Sequence, residues 1–140
     1  MSLLKQLAAA QHLQSLSPSS LVSAAAELMA ERHIGSVVIT ENTELVGIFT
    51  ERDLLNRVVA RGLDPRTTPL SVVMTTDIST IDVNDGVDAC FGIMQRRGCR
   101  HLPIVENGKL VGIVSIRNVL DWIIHDLEIE RDMLRQYISE

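Results

Sequence analysis

The sequence contains few aromatic residues and only two cysteines and carries no excess of positive charge, and each of these features argues against a class of protein or site. Aromatic residues make up 3% of the 140 residues, which leaves no stacking platform for single-stranded nucleic acid. The net charge of −5 also disfavours binding to nucleic acid through a basic surface. Cys90 and Cys99 have neither CxxC nor metal-ligand spacing, and the histidines form no HxxxH pattern. We therefore expect no metal site.

Long apolar runs are also absent, and none approaches the roughly 18 residues that a membrane span needs. The N-terminal segment has no basic region before a cleavage site, so we expect no signal peptide and a cytoplasmic, reducing location.

Arginine, by contrast, is abundant. Lys5 and Lys109 are the only lysines, so the other eleven of the 13 basic residues are arginines. Because guanidinium binds phosphate well, a few converging arginines could hold a phosphate on this acidic chain.

The chain is an internal repeat. Residues 16–59 align without a gap with residues 81–124 at a constant offset of 65. The strongest block is LVGI, which occurs at 45–48 and again at 110–113. Two copies are too few for a solenoid, so we expect them to pack on each other as a pseudo-twofold pair.

Both copies show the same order of elements. An apolar helical stripe begins at Ser17-Pro18 in the first copy, where the proline favours a helix start, and near Asp85 in the second. Two β-rich runs and a second helix follow, and Asn107-Gly108 is a strong hairpin signal. The predicted extended pieces and strands are 12–15, 36–40 and 45–49 in the first copy and 77–80, 101–105 and 110–114 in the second.

These patterns predict an α/β fold of the α+β type, with two β-α-β-β-α repeats and an extended C-terminal helix. The expected segments are a first repeat at 7–62, a linker with a short helix at 63–76, a second repeat at 77–124 and a helical extension at 125–140. The last helix should run from about 117 to 138. Its distal half either covers the core of its own chain or packs on another subunit, and the sequence leaves both open.

Two stretches, GIFTERD at 47–53 and GIVSIRN at 112–118, resemble the signature of CBS domains, which are named after cystathionine β-synthase. RHLPIV at 100–105 is similar to the family's stretch before the second strand. The resemblance extends from about Leu7 to Ile124 and implies a tandem CBS pair, or Bateman module, standing alone. It further implies an adenosine-containing ligand (AMP, ADP, ATP, NAD or S-adenosylmethionine) in clefts between the repeats, and a homodimer of CBS pairs.

The signature of the first copy has the chemistry to hold a nucleotide. Thr50 ends a strand and opens a helix, whose first amides lack internal partners and favour a phosphate. Asp53 lies one turn further on, and its carboxylate can accept hydrogen bonds from both hydroxyls of a ribose. The same spacing is also that of a plain capping box. Its recurrence in register after the LVGI strand favours nucleotide binding for Asp53.

In the second copy, Ser115 and Asn118 stand where the first has Thr50 and Asp53. A neutral asparagine should hold a ribose diol less strongly than a carboxylate, so we expect a weaker second site.

Four basic residues lie in or near the two signatures. The resemblance implies that Arg100 and His101 contact phosphate. Arg52 and Arg117 are either phosphate ligands or solvated helix residues, and the second interpretation is favoured for Arg117. The other candidates, which align with the phosphate-binding stretch or could line the adenine, are Gly35, Ser36, Val37, Ile81, Leu102 and Pro103.

These expectations describe a regulatory module in which an adenine nucleotide shifts the packing of the repeats or of the dimer, and a regulated protein reads the change. The alternative is a nucleotide-independent module for dimerisation or protein interaction that uses the C-terminal helix. We expect no enzyme, because the sequence shows no nucleophile–base pair, no P-loop and no metal cluster.

Overall fold

The computed structural model describes residues 2–139. Two three-stranded sheets with flanking helices confirm the α/β class and the repeat. In chain order the elements are α1 (Leu3–Ala10), β1 (Ser15–Leu16), α2 (Val22–Arg32), β2 (Ser36–Glu41), β3 (Glu44–Thr50), α3 (Glu51–Asp53, continued by a π-helix over Leu54–Val59), α4 (Leu70–Val73), β4 (Ile81–Asp82), α5 (Val87–Arg97), β5 (His101–Glu106), β6 (Lys109–Ser115) and α6 (Ile116–Ser139).

The first sheet lies in a compact unit formed by His12–Ser79 and Asn107–Leu110. Strand β1 runs parallel to β2, and β2 runs antiparallel to β3. The linker belongs to this unit, because the two apolar ends of α4 are buried in its core. That core consists of Val22, Ala25, Met29, Val37, Ile39, Phe49, Val58, Leu70 and Val73.

The second sheet lies in a unit formed by residues 2–11, 80–106 and 111–139. The N-terminal helix α1, which the sequence pattern did not predict, packs here with Leu3 and Leu4 buried. Residues 7–11, assigned above to the first repeat, therefore lie with the second, since the apolar side of α1 finds its partners there. The core consists of Leu3, Leu4, Ile81, Val83, Cys90, Met94, Leu102, Ile104, Val114 and Val119.

Both hairpins turn through two residues with positive φ, which type I′ turns require. In the second repeat these are Asn107 (52°) and Gly108 (77°), which confirms the predicted hairpin. In the first repeat they are Asn42 (51°) and Thr43 (68°). Thr43 is β-branched, and the left-handed conformation costs such a residue about 1–2 kcal/mol.

The start of α2 differs from the prediction. The helix begins at Val22 and not at Ser17-Pro18. The preceding residues form a turn, in which the Ser20 N–H donates to the Ser17 carbonyl at 3.0 Å and the Ser17 N–H donates to Ser20 Oγ at 3.1 Å. Serine hydroxyls that bond to nearby backbone favour turns over helix, and this competition delays the helix start.

The opening strand of each repeat is short and lies later than the pattern predicts. The expected pieces were 12–15 and 77–80, whereas the strands are Ser15–Leu16 and Ile81–Asp82. These residues pair with the central strand, since β1 pairs with β2 and β4 with β5 in parallel register.

The last helix, α6, closely matches its predicted extent. Its first two turns pack on the core of their own unit through Ile116, Val119, Trp122 and Ile123. Beyond them the large apolar residues are exposed. Within residues 2–139, no helix has both the length and the apolar character needed to cross a bilayer.

Candidate functional site

The junction between β3 and α3 is built around Asp53. The Asp53 N–H donates to Thr50 Oγ1 at 3.1 Å, and the Thr50 N–H donates to Asp53 Oδ2 at 3.1 Å. These reciprocal bonds form a capping box. Asp53 therefore has the helix-capping role that the spacing of this motif also allows. The Asp53 residue is only 7% exposed. The turn therefore holds a carboxylate at the end of a strand and shields it from most solvent.

Two further residues approach the same carboxylate. Thr75 Oγ1 lies 3.1 Å from Asp53 Oδ1 and 3.2 Å from Oδ2, and donates its proton to this group. Arg57 Nε lies 3.6 Å from Oδ1, and Arg57 Nη1 also donates to the carbonyls of Val73 (3.3 Å) and Met74 (3.1 Å). Asp53 thus connects α3 to the linker through a hydroxyl and a guanidinium.

Sequence reasoning missed both of these partners. Arg57 follows Asp53 by four residues, and this i,i+4 spacing of opposite charges on a helix could have identified it. Thr75 is 22 residues from Asp53 and follows α4, so no local pattern connects the two.

The edge of β3 is closed by the linker. Ile48 and Thr75 exchange two backbone hydrogen bonds, with the Ile48 N–H donating at 3.0 Å and the Thr75 N–H at 2.8 Å. Gly47 lies against the side chain of Met74, and a Cβ at this position would stand 2.6 Å from the methionine Sδ. The glycine therefore allows the linker to approach the strand closely, which in turn brings Thr75 to Asp53.

The structure brings Gly35 and Ser36 to the same junction. The Glu51 N–H donates to the Gly35 carbonyl at 3.0 Å, and Ser36 pairs with Thr50 in the sheet. Arg52 is exposed on the first turn of α3. Four of the predicted residues of the first repeat, namely Gly35, Ser36, Thr50 and Asp53, are therefore neighbours, with Arg52 beside them.

The second repeat builds the same turn with neutral side chains. Asn118 Oδ1 accepts from the Ser115 N–H and from Ser115 Oγ, both at 2.9 Å, and the Asn118 N–H donates to Ser115 Oγ at 3.1 Å. Asparagine therefore preserves the capping geometry of aspartate. The difference between the two repeats at this position is the charge.

The basic candidates of the second repeat lie near this turn along the backbone. The Ile116 N–H donates to the Arg100 carbonyl at 2.8 Å, which places Arg100 next to the end of β6. Arg100 and Arg117 are exposed, and His101 is half-buried at the start of β5. The structure thus brings these candidates to one junction, as in the first repeat.

The apolar candidates lie inside the two cores. Val37, Ile81 and Leu102 are each at most 2% exposed, and Pro103 is also buried. Their side chains support the strands that carry the two junctions. A contact between any of them and an adenine ring stays a prediction.

The buried thiol of Cys90 is not suited to nucleophilic chemistry. Burial, and to a lesser extent the neighbouring Cys99, raise the pKa of the Cys90 thiol to about 11. Among the residues that the structure describes, no group of three His, Cys, Asp or Glu side chains is arranged to hold a metal ion.

Two β-α-β-β-α repeats, each closing its strand–helix junction with a hydroxyl and an Asp or Asn, define a class of tandem-repeat modules. The family model of the CBS domain matches residues 5–60 and 70–125. The chain belongs to the CBS-domain family and carries two of these domains in tandem, as the resemblance implied.

Comparison with known proteins gives the same assignment. The 17.7 kDa protein of the bps2 3′ region of Acidianus ambivalens is 40% identical over 104 residues, which cover 73% of this chain and 62% of that protein. The matched part is thus less than two thirds of this relative. The solved structure of a CBS-domain protein from Burkholderia ambifaria has a TM-score of 0.82 at 28% identity and covers 87% of this chain and 93% of its own. The CBS domain protein PAE2072 from Pyrobaculum aerophilum, solved in complex with AMP, has a TM-score of 0.70 at 31% identity and covers 77% of this chain and 83% of its own.

Proposed function

We propose that this CBS pair is a regulatory module that binds an adenine nucleotide at the β3–α3 junction of its first repeat. The observation that carries the proposal is the carboxylate of Asp53, held by the strand–helix turn and 7% exposed. A buried carboxylate is well suited to bind the two hydroxyls of a ribose, because charge-assisted hydrogen bonds are about twice as strong as neutral ones. The AMP bound to the similar protein PAE2072 supports the choice of ligand class.

The other residues of the junction have complementary roles in the proposal. Arg52 supplies a positive charge next to Asp53, and Thr50 and Ser36 supply hydroxyl groups for a phosphate or ribose oxygen. Gly35 has no side chain, so it leaves room for a ligand to approach the junction. Among the candidate ligands, AMP, ADP, ATP and NAD share the adenosine half that these residues would bind.

The second repeat is proposed to be the weaker site. Asn118 offers one neutral acceptor oxygen, and Ser115 already donates its hydroxyl to it. Arg100, His101 and Arg117 provide basic groups near the same turn, so phosphate binding there depends more on charge than on a ribose contact.

Ligand binding at Asp53 provides a route to regulation. The carboxylate accepts from Thr75 and pairs with Arg57, which in turn bonds to the carbonyls of Val73 and Met74. A ribose hydroxyl that replaces the Thr75 hydroxyl would loosen this connection to the linker. The proposed output is a change in packing that a regulated protein reads, without catalysis, and the homodimer of CBS pairs belongs to the same proposal.

Calorimetric titration with AMP, ADP, ATP, NAD, NADH and S-adenosylmethionine tests this function. The decisive variant is Asp53→Asn, because Asn118 shows that asparagine sustains the same turn. We expect saturable binding of at least one ligand, weakened tenfold or more in Asp53→Asn. The reciprocal variant Asn118→Asp should bind more tightly at the second site.

The folded state of each variant is checked by circular dichroism and thermal unfolding. Absence of binding to all six ligands by nucleotide-free protein would reject the proposal. Wild-type affinity in a folded Asp53→Asn would reject the role of the carboxylate.

The alternative function, interaction through the C-terminal helix without a nucleotide, has an observation of its own. The distal part of α6 exposes large apolar residues, including Leu127 and Leu134, that pack on neither core.

A further inference from the structure

Five large apolar side chains of α6 form an exposed stripe, here called the α6 stripe. Successive members are separated by four, three, seven and four residues. Their exposed fractions lie between 45% and 81%. The members are Leu120, Ile124, Leu127, Leu134 and Ile138.

The α6 stripe is not the face that packs on the core. That role belongs to Ile116, Val119, Trp122 and Ile123 in the first two turns. Since the distal helix continues to Ser139 with its stripe exposed, burial within the described chain does not account for these residues.

The spacing of the stripe is that of a coiled-coil seam. Apolar residues at alternating intervals of three and four give an average period of 3.5, and two such helices wind around each other so that their seams stay in contact. The gap of seven between Leu127 and Leu134 is filled by Arg131, the one charged residue at a seam position. In heptad terms Ile124, Arg131 and Ile138 occupy a, and Leu120, Leu127 and Leu134 occupy d.

We propose that the α6 stripe pairs with the α6 stripe of a second copy of this chain in a parallel two-stranded coiled coil. This pairing does not require a ligand at either junction. The pairing buries the apolar residues of the distal half of α6 against the same residues of the second copy.

The charges beside the seam favour a second copy in parallel orientation. In a parallel pair, a residue at g faces the residue at e of the following heptad on the other helix. Glu130 lies at g and Arg135 at e, so a parallel homodimer forms two Glu130–Arg135 pairs of opposite charge. An antiparallel pair with the seams in register would form two Asp121–Arg135 pairs but would also oppose Glu128 to Glu128 and Glu130 to Glu130, and this added repulsion favours the parallel orientation.

Arg131 fits the same arrangement. A single charged or polar residue at an a position lowers coiled-coil stability but limits the register and the number of strands. The long arginine stem can lie along the seam while the guanidinium reaches solvent, where Arg131 Nη2 already lies 3.2 Å from Asp132 Oδ1.

Sedimentation equilibrium of the full chain tests the surface. The variant Leu134→Glu places a charge in the seam, and the matched control Met133→Glu changes the adjacent residue, which is 66% exposed against 57% for Leu134. Both residues are exposed, so neither variant should disturb the core. We expect a wild-type dimer, at least tenfold weaker association in Leu134→Glu and unchanged association in Met133→Glu.

A charge exchange and a cross-link test the orientation. Arg135→Glu should weaken the dimer, and Glu130→Arg added to it should restore association.

In a Cys99→Ser background, with Cys90 buried, Leu134→Cys should form an intermolecular disulfide on mild oxidation, whereas Met133→Cys should not. A monomeric wild type, or Leu134→Glu with wild-type association, would overturn the proposal. A disulfide that forms only when Ile124→Cys is combined with Leu134→Cys would overturn the parallel orientation.

Discussion

The side-chain amide of Gln11 pairs with the backbone of Ile113 through two hydrogen bonds. Gln11 Nε2 donates to the Ile113 carbonyl at 2.8 Å, and the Ile113 N–H donates to Gln11 Oε1 at 2.9 Å. In the first repeat the equivalent strand residue, Ile48, makes two such bonds with the backbone of Thr75. A side chain in one repeat and a chain segment in the other therefore close the same strand edge.

Replacing Gln11 should lower the stability of the second unit. Gln11→Ala leaves the N–H and carbonyl of Ile113 without these partners, and we expect a loss of about 1–2 kcal/mol in the free energy of unfolding. Gln11→Glu should also destabilise, because it keeps the acceptor but brings a negative charge to a carbonyl oxygen. Urea denaturation measures both, with exposed Lys5→Ala as the control. A midpoint for Gln11→Ala equal to that of wild type would contradict the assignment.

The hairpin of the first repeat should tolerate glycine better than threonine. Thr43 has a φ of 68°, and its counterpart in the second repeat is Gly108 with a φ of 77°. We expect Thr43→Gly to stabilise the protein by about 0.5 kcal/mol, since relief of strain exceeds the added entropy of the unfolded chain. Gly108→Thr should destabilise it. Thermal unfolding measures both, and equal stabilisation by Thr43→Ala would show that strain in φ is not the cause.

The same glycine-to-alanine change should have opposite effects at two positions. Gly47→Ala places a Cβ 2.6 Å from Met74 Sδ, so we expect a loss of about 1–2 kcal/mol. Gly92 lies inside α5, where the nearest atoms to an added Cβ belong to the flexible end of Arg96. Gly92→Ala should therefore stabilise by up to about 1 kcal/mol through helix propensity.

Denaturant titrations of Gly47→Ala with and without Met74→Ala identify the cause of the first effect. If Met74 is the obstacle, its truncation should reduce the cost of Gly47→Ala. An undiminished cost would point to a different contact.

Stability should fall at alkaline pH through Cys90. Burial raises its pKa to about 11 in the folded state from the ordinary thiol value of 9.0. Below the unfolded value the thiol is protonated in both states, and between the two values only the unfolded state loses the proton. Stability is therefore lost as the pH rises through this window, by about 1 kcal/mol at pH 10.

The measurement is the free energy of unfolding from pH 8 to pH 10.5 for wild type and Cys90→Ala. The variant starts lower because it leaves a small cavity, but its stability should decline less with pH. Parallel curves for the two proteins would show that other groups govern the alkaline loss.

Local features of the fold and of the candidate site could be predicted from the sequence. The Thr50–Asp53 and Ser115–Asn118 turns each lie within four residues, and the hairpin at Asn107-Gly108 needs only two residues that accept positive φ. The long α6 followed from its apolar periodicity. Such features depend on contacts between residues close in the chain, so a linear pattern is sufficient to show them.

Long-range contacts could not be predicted in this way. Thr75 reaches Asp53 across 22 residues and Gln11 reaches Ile113 across 102, and neither pair has a characteristic spacing. The placement of α1 with the second repeat could not be predicted either, because its leucines could cover any apolar sheet face of suitable shape.

The sequence by itself therefore determined the family, the twofold repeat, the order of elements and the difference in charge between Asp53 and Asn118, because each resides in residue identity and short spacing. Only the tertiary structure decided which groups bond to the Asp53 carboxylate, which segments close the edges of β3 and β6, and which apolar residues of α6 remain exposed. Those outcomes depend on which surfaces meet after the chain has folded, and hydrophobic burial, being non-directional, does not specify the partner from one segment alone.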